Sequence, residues 1–399
     1  MIQHFFPTTE IVKNPDITIL IPALNEAITI GEFVDWCKEG LLNAGVQGQI
    51  LIIDSSTDET REIALALGAE VLSVPKRGLG QAYIDAIPFV RAPFIIMGDA
   101  DLTYDMRYLK NFLAEFQNGT EFVMGSRFKG SIEKGAMPLL HQYFGTPLTT
   151  WILNRVYKRN FSDIHCGMRG ITLDALKRMK LQSQSWQYAS EMIIKSVHLN
   201  LSCAEVPVIF HKDREGRLSH HKRTGWYAPW LAGWINLKAI FTFGADFFLF
   251  KMGLVLTTLG FCGSALLFNG PMNFAGIGFS LHWMLLSLLL FLIGLQFFFM
   301  GILAKKIYDL ENKNQARWEK FLSLDYATPL ASLFFISGFL SILPLLKKYL
   351  QSGLHLPAIN VTSYHAIGGI GLIFLGVIYF TSALLYNAVV LTFNSTDNR

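Results

Sequence analysis

The second half of the chain constrains its fold most. Four apolar stretches, near residues 247–269, 281–304, 327–346 and 366–392, carry few charges. Each reaches the about 20 residues that an α-helix needs to cross the hydrocarbon core of a bilayer. Each is therefore read as a membrane-spanning helix. The first half is different. Residues 1–225 hold most of the Lys, Arg, Asp and Glu, whereas Leu, Phe, Ile and Gly dominate from about 246 onward. Over all 399 residues, 51% are hydrophobic and 16% are charged, where soluble domains average about 25% charged. The sequence thus divides into a polar folded domain, residues 1–225, and an all-α transmembrane region, residues 246–399.

Residues 226–245 join the two and carry Trp226, Tyr227, Trp230, Trp234 and Lys238. Aromatic rings with a few cations suit the headgroup level, so this segment reads as an amphipathic helix on the membrane surface. An ordinary helix of the polar domain is the alternative. Just before it lie His211, Lys212, Arg214, Arg217, His220, His221, Lys222 and Arg223. Such a cluster suits anionic headgroups or phosphates, or it is a solvated basic loop flanking a membrane helix. The N-terminal string Met1 to Pro7 lacks the charged and apolar regions of a signal peptide. The link at 305–326 is rich in Lys and Arg, which suits a cytoplasmic loop, although Lys347 and Lys348 then fall on the far side. The expectation is an integral membrane protein with its polar domain on the cytoplasmic face. A net charge of +4 gives no reason to expect a nucleic-acid partner. The scattered Cys37, Cys166, Cys203 and Cys262 form neither a disulfide framework nor a zinc site. A homo-oligomer is left open.

The polar domain alternates short β-rich runs with helical ones. Strands are expected at 17–21, 49–53, 71–74 and 94–97, with helices at 27–44, 59–67 and 81–90 between them. That alternation predicts a parallel sheet covered by helices on both faces. Ligands of such sheets bind beyond the carboxyl ends of the strands. Polar residues follow three strands there: Asn25 and Glu26, Asp54 and Asp58, Asp99 and Asp101. One nucleotide can touch all three loops. Gly78 and Gly80 open the helix at 81–90, beside Arg77, a further candidate nucleotide contact.

Asp99-Ala100-Asp101 follows the fourth strand directly after Gly98. Two carboxylates one residue apart can hold a hard divalent cation. Mg2+ takes one or two carboxylates together with substrate phosphates. On a diphosphate it neutralises the charge of a leaving group. The strand-end position beside the other acidic loops distinguishes this triplet from the many found in surface loops.

Taken in order, Ile21-Pro22-Ala23-Leu24-Asn25-Glu26, the Asp54 loop, Gly98-Asp99-Ala100-Asp101 and Gly125-Ser126-Arg127 resemble glycosyltransferase family 2. Two later strings are Asp163-Ile164-His165-Cys166-Gly167-Met168-Arg169 and Arg214-Glu215-Gly216-Arg217-Leu218-Ser219. They resemble its polyprenyl-phosphate (dolichol-phosphate) mannosyl- and glucosyltransferase branch. The resemblance covers about residues 15–225. It implies an α/β GT-A (Rossmann-like) domain, a nucleotide-sugar donor of the UDP-glucose or GDP-mannose class, and a polyprenyl-phosphate acceptor. It implies that Pro22, Asn25, Glu26 and Asp54 line the nucleoside pocket. Asp99 and Asp101 would hold the diphosphate and a metal, Mg2+ or Mn2+. Arg127 and Arg214 would face phosphates, with Ser219 and His220 beside the acceptor phosphate. Asp163 would lie near the donor sugar, as an orienting group or as a base. The catalytic set is then Asp101, Asp163, Arg127 and Arg214. The chain departs from many members in having Asp54-Ser55 where they have two acidic residues, and His220 where they have Lys. Transfer to a hydroxyl acceptor and sugar-nucleotide binding without turnover are the competing readings.

Overall fold

The computed structural model describes residues 2–214, 216, 234, 237–238, 240–309, 316–355 and 358–396. Its contacts divide the chain into two units, Met1–Phe243 and Gly244–Arg399. Most of the segment expected to form the interfacial helix lies outside the described residues, as do Ser219 and His220.

The first unit is built on a sheet that has eight strands among the described residues. In chain order they are β1 (Gln3–Phe5), β2 (Ile17–Ala23), β3 (Gly48–Asp54), β4 (Glu70–Ser73), β5 (Phe94–Met97), β6 (Phe122–Ile132), β7 (Arg169–Thr172) and β8 (Cys203–Phe210). Across the sheet they run β1-β4-β3-β2-β5-β7-β6-β8. The helices are α1 (Ile30–Ala44), α2 (Thr60–Ala66), α3 (Leu79–Ala86), α4 (Lys110–Gln117), α5 (Thr146–Tyr157), α6 (Leu173–Met179) and α7 (Tyr188–His198). β2 and β5 are central, and Ile17, Ile19, Leu20, Ile21, Ile95 and Ile96 are wholly buried. Strands covered on both faces read as unbroken apolar runs rather than alternating ones. Each such side chain contributes about 1.5–3 kcal/mol.

The parallel pairing expected of the strands in residues 17–97 is found, and the sheet as a whole is mixed. β2, β3, β4 and β5 are parallel, and β6 is parallel to β8, but β7 runs antiparallel between β5 and β6, and β1 is an antiparallel edge. The reversal of β7 has a consequence for the site. An antiparallel strand brings its N-terminal end to the edge where its neighbours end. The loop before Arg169 therefore meets the loops that follow β2, β3 and β5. Strand order also reverses at β2, since β3 and β4 lie on one side of it and β5 on the other. That is the switch point where crevices open in sheets of this kind.

In the second unit, four helices are long and apolar enough to cross a membrane: α8 (Ala245–Leu267), α9 (Leu281–Ile307), α11 (Leu324–Gln351) and α12 (Val361–Thr396). A short helix, α10 (Ala316–Leu322), precedes α11, and a hairpin of β9 (Met272–Phe274) and β10 (Ile277–Phe279) joins α8 to α9. The sequence pattern did not indicate the hairpin. α8 and α9 approach closely through Gly253, Gly260, Gly294 and Gly301, each lying against the other helix's backbone, as small residues allow between helices in lipid.

Candidate active site

A cleft of about 590 Å³ opens at the carboxyl edge of the sheet. Its floor comes from strand ends. Pro22 and Glu26 arrive from β2, Ser55 from β3, Lys76 from the turn after β4, and Asp99 and Asp101 from β5. Arg127 of β6 and the run before β7, with His165, Gly167 and Arg169, complete the far side.

The Asp99-Ala100-Asp101 turn is held firmly. The Tyr83 hydroxyl donates to the Gly98 carbonyl at 3.1 Å. Asp101 Oδ1 accepts from the Thr103 amide at 3.0 Å and from the Thr103 hydroxyl at 2.5 Å, and Leu102 between them has a positive φ of 62°. Asp99 packs against the opposing loop so tightly that a β-carbon on Gly167 would fall 2.6 Å from its Oδ2 and 2.8 Å from the Tyr104 ring. A larger residue there would have to displace the Asp99 carboxylate or the Tyr104 ring. The Gly167 amide also donates to the Tyr104 hydroxyl at 2.8 Å. Among the described residues no group of three or more His, Cys, Asp or Glu side chains is arranged to hold a metal. Two carboxylates in one cleft suit a cation that completes its shell with substrate phosphates and water.

Arg127 and Asp163 form a deeply buried ion pair beside the cleft. Arg127 Nε donates to Asp163 Oδ2 at 2.6 Å and Nη2 donates to Oδ1 at 2.8 Å, with 7% and 0% of the two residues exposed. Burial opposes the charge on Asp163, but the paired guanidinium outweighs it and holds the carboxyl below its usual range. Asp163 is itself placed by the chain around it, because Glu205 of β8 accepts from the Ser162 amide at 2.6 Å and the Asp163 amide at 3.3 Å. Arg127 begins an irregularity in β6. Between Ser126 and Ser131 the paired strand advances only from Pro207 to Ile209. Such a bulge re-aims a side chain.

Asp163 reaches the cleft only through this pairing with Arg127. It is not among the residues lining the cleft, and it anchors the arginine that is. Other candidate residues also have partners within the domain. Asn25, at a positive φ of 58°, accepts from the Thr57 amide at 2.9 Å. Asp54 accepts from the Ser56 amide at 3.0 Å. Both fasten loop to loop, while Pro22, Glu26 and Ser55 form the wall. Arg77 pairs with Asp85 at 2.6 Å, and its neighbour Lys76 lines the cleft instead. Arg214 pairs with Glu32 of α1, while its neighbour Asp213 is in the lining. In each case adjacent side chains point apart, and the motif does not say which one faces the ligand.

Sequence reasoning did not anticipate Ser185 and Trp186 in the lining of the cleft. Arg169, wholly buried at its base, donates to the carbonyls of Cys166, Ile164 and Ala189 at 2.9, 3.1 and 2.6 Å. It thereby ties the 164–166 loop to the start of α7. Glu191 of α7 accepts from the amides of Gln182 at 2.9 Å and Ser183 at 2.8 Å. That loop packs on Gly78, where φ is 113° and a β-carbon would lie 2.3 Å from the Gln184 carbonyl oxygen. It then delivers Ser185 and Trp186 to the cleft. His165, also in the lining, meets the Thr149 hydroxyl at 2.9 Å. Burial lowers its pKa to about 4, so it is neutral at pH 7. Cys166 beside it is wholly buried, and its thiol is pushed up to about 12.

The chain matches a family model described as glycosyl transferase family 2 over residues 18–180. Three relatives come from Haloferax volcanii. The low-salt glycan biosynthesis hexosyltransferase Agl6 is 34% identical over 288 residues, 72% of this chain and 68% of its own length. The glycosyltransferase AglJ is 31% identical over 209 residues, 51% of this chain and 66% of its own. A dolichyl-phosphate hexose transferase is 28% identical over 210 residues, 50% of this chain and 85% of its own. With an acidic turn at the end of β5 and a cleft at the switch point of the sheet, these likenesses are of one kind: the chain belongs to glycosyltransferase family 2 and is a glycosyltransferase.

Proposed function

We propose that this glycosyltransferase moves a hexose from a nucleoside diphosphate to the phosphate of a membrane polyprenyl lipid. What carries the choice of acceptor is the state of Asp163. A hydroxyl acceptor needs a base, and the carboxylate expected for that task is buried and held by Arg127. A phosphate monoester is already an anion at neutral pH. It needs positioning and charge compensation, which the cations in the cleft, Lys76 and Arg127, supply. The printed name of the dolichyl-phosphate hexose transferase points the same way, as do the four apolar helices.

The roles we assign to the residues are these. Pro22, Glu26 and Ser55 hold the nucleoside end of the donor, on loops fastened by Asn25 and Asp54. Asp99 and Asp101 would hold the metal, Mg2+ or Mn2+, which would offset the charge of the diphosphate. Arg127 faces a phosphate from its seat on Asp163. An oxygen of the acceptor phosphate attacks C1 of the sugar. The bond from C1 to the nucleoside diphosphate breaks, and the diphosphate takes the electron pair. Direct displacement inverts the anomeric centre, and no proton moves. The four spans return both ends to one face, which we assign to the cytoplasm.

The test is a donor screen on the full chain in detergent or nanodiscs. UDP- and GDP-sugars are offered with polyprenyl phosphate, and release of nucleoside diphosphate is read with and without a chelator. Release that needs both acceptor and divalent cation, and that is lost in Asp101→Asn, is the expected result. Release unaffected by chelation removes the metal role. Nucleotide binding with no turnover for any donor removes the proposed reaction.

A further inference from the structure

His165 lines the cleft, and the transfer proposed above gives it no task. Its ring is nonetheless held in one orientation. From α5 the Thr149 hydroxyl meets Nε2 at 2.9 Å, and the His165 amide donates to Asp163 Oδ1 at 3.2 Å. The threonine decides which ring nitrogen carries the proton. A hydroxyl has one proton to donate and two lone pairs, and a carbonyl oxygen can only accept. The Thr149 oxygen lies 2.8 Å from the Gly145 carbonyl oxygen and 3.1 Å from that of Thr146. Its proton is therefore committed to the backbone of its own helix. Toward His165 it presents a lone pair, so Nε2 carries the hydrogen and Nδ1 does not.

Nδ1 is thus an acceptor, and it has no hydrogen-bond partner among the described residues. Nor is it one of the polar atoms sealed from solvent without a partner. It opens on the cleft that His165 lines. Burial, aided by the charges of Arg127 and Arg169, outweighs the Asp163 carboxylate and keeps the ring neutral at pH 7. A nitrogen so reluctant to take a proton is a poor general base, because such a base works best with a pKa near the operating pH. It can accept a hydrogen bond from a neutral hydroxyl. The cations of the cleft, Lys76, Arg127 and Arg169, offer the opposite, since they only donate.

The position of His165 indicates which hydroxyl it meets. Two residues on, Gly167 packs against Asp99, where a β-carbon would lie 2.6 Å from Oδ2. Two residues of chain span at most about 7 Å. A group bonded to a diphosphate held at Asp99 therefore comes within reach of the ring. We propose that His165 Nδ1 accepts a hydrogen bond from one hydroxyl of the donor hexose, with Thr149 fixing the tautomer, and that this pair selects the sugar. The inference rests on the nucleotide-sugar reading above. A site whose acceptor is matched to a hydroxyl discriminates against sugars that lack it, because the acceptor is then left unpaired.

The test is calorimetric titration of the full chain in nanodiscs, with Mn2+, by UDP, UDP-glucose, GDP and GDP-mannose. The nucleotide-sugar that binds is then compared with analogues carrying fluorine in place of one hydroxyl at a time, because fluorine cannot donate a hydrogen bond. One analogue should bind the unsubstituted chain about tenfold more weakly, or worse. In His165→Ala the parent sugar should fall to the affinity of that analogue, while the nucleoside diphosphate binds as before. His165→Asn puts an amide group near the position of Nδ1 and should restore part of the discrimination. Thr149→Val releases Nε2 and should weaken the nucleotide-sugar but not the nucleoside diphosphate. Equal binding of every analogue by the unsubstituted chain overturns the proposal, as does unchanged discrimination in His165→Ala. Loss of nucleoside diphosphate binding in both His165→Ala and Thr149→Val also overturns it, because the pair would then only hold the cleft in shape. A chain that binds none of the four ligands refutes the nucleotide-sugar reading itself, a result distinct from the others.

Discussion

At the scale of single residues, the site depends on charges that are held rather than free to move. The Arg127 guanidinium donates two hydrogen bonds to the buried Asp163 carboxylate. Removing one partner of such a pair strands the other charge. Asp163→Asn should therefore cost about 3–5 kcal/mol in the unfolding of the polar domain. If Arg127 faces a phosphate in the transition state, it should also lower transfer by about a hundredfold or more. An Asp163→Asn protein of normal stability and rate would contradict both roles. Gly167→Ala probes the other side of the cleft. Its methyl would press on Asp99 Oδ2, and displacing a candidate ligand should raise the metal concentration needed for half-maximal rate by about 10–100-fold. Unchanged metal dependence would remove Asp99 from the metal site. His165 makes stability depend on pH. Burial lowers its folded pKa to about 4, from 6.5 in the unfolded chain. Between those values the unfolded chain binds more protons, so stability falls as the pH drops through that window, by up to about 3 kcal/mol. His4, also lowered by burial, acts in the same direction. The unfolding midpoint of the solubilised chain should be lower at pH 5 than at pH 7, and His165→Asn should shrink the difference.

At the scale of elements, two devices build the cleft. The antiparallel β7 brings the 163–168 loop to the edge where β2, β3 and β5 end. Glu191, paired with Lys195 at 2.6 Å inside α7, fixes the 182–185 loop against Gly78. Glu191→Ala should destabilise the domain by about 3 kcal/mol or more and raise the KM for the donor, because Ser185 and Trp186 lose their support. A raised KM without loss of stability would mean that Glu191 meets the ligand itself. The strand ends were legible in the sequence. Apolar runs ending near Pro22, Asp54 and Gly98 mark them to within two residues, although β2 continues through Pro22 to Ala23, and they place the acidic triplet. β7 was not legible, since four residues beginning with Arg169 show no strand period. Nor could spacing tell that Lys76 rather than Arg77 faces the cleft, or that Arg214 pairs with Glu32. Those choices are made by Asp85 and by α1, partners distant from the motif.

At the scale of the whole molecule, the sequence divides into a polar enzyme domain and four apolar helices, and each division has its chemistry. The helices were legible from length and composition alone, as were the family and its nucleotide-sugar chemistry from the order of the motifs. The acceptor came only through the resemblance, because phosphate and hydroxyl acceptors differ in whether a free base is present. A buried carboxylate and an accessible one are the same letter in a sequence. The most direct measurement offers the purified full chain one labelled nucleotide-sugar and, in parallel, a polyprenyl phosphate and the matching polyprenol. The account predicts a lipid-extractable, mild-acid-labile product from the phosphate alone. Equal transfer to the alcohol would contradict it.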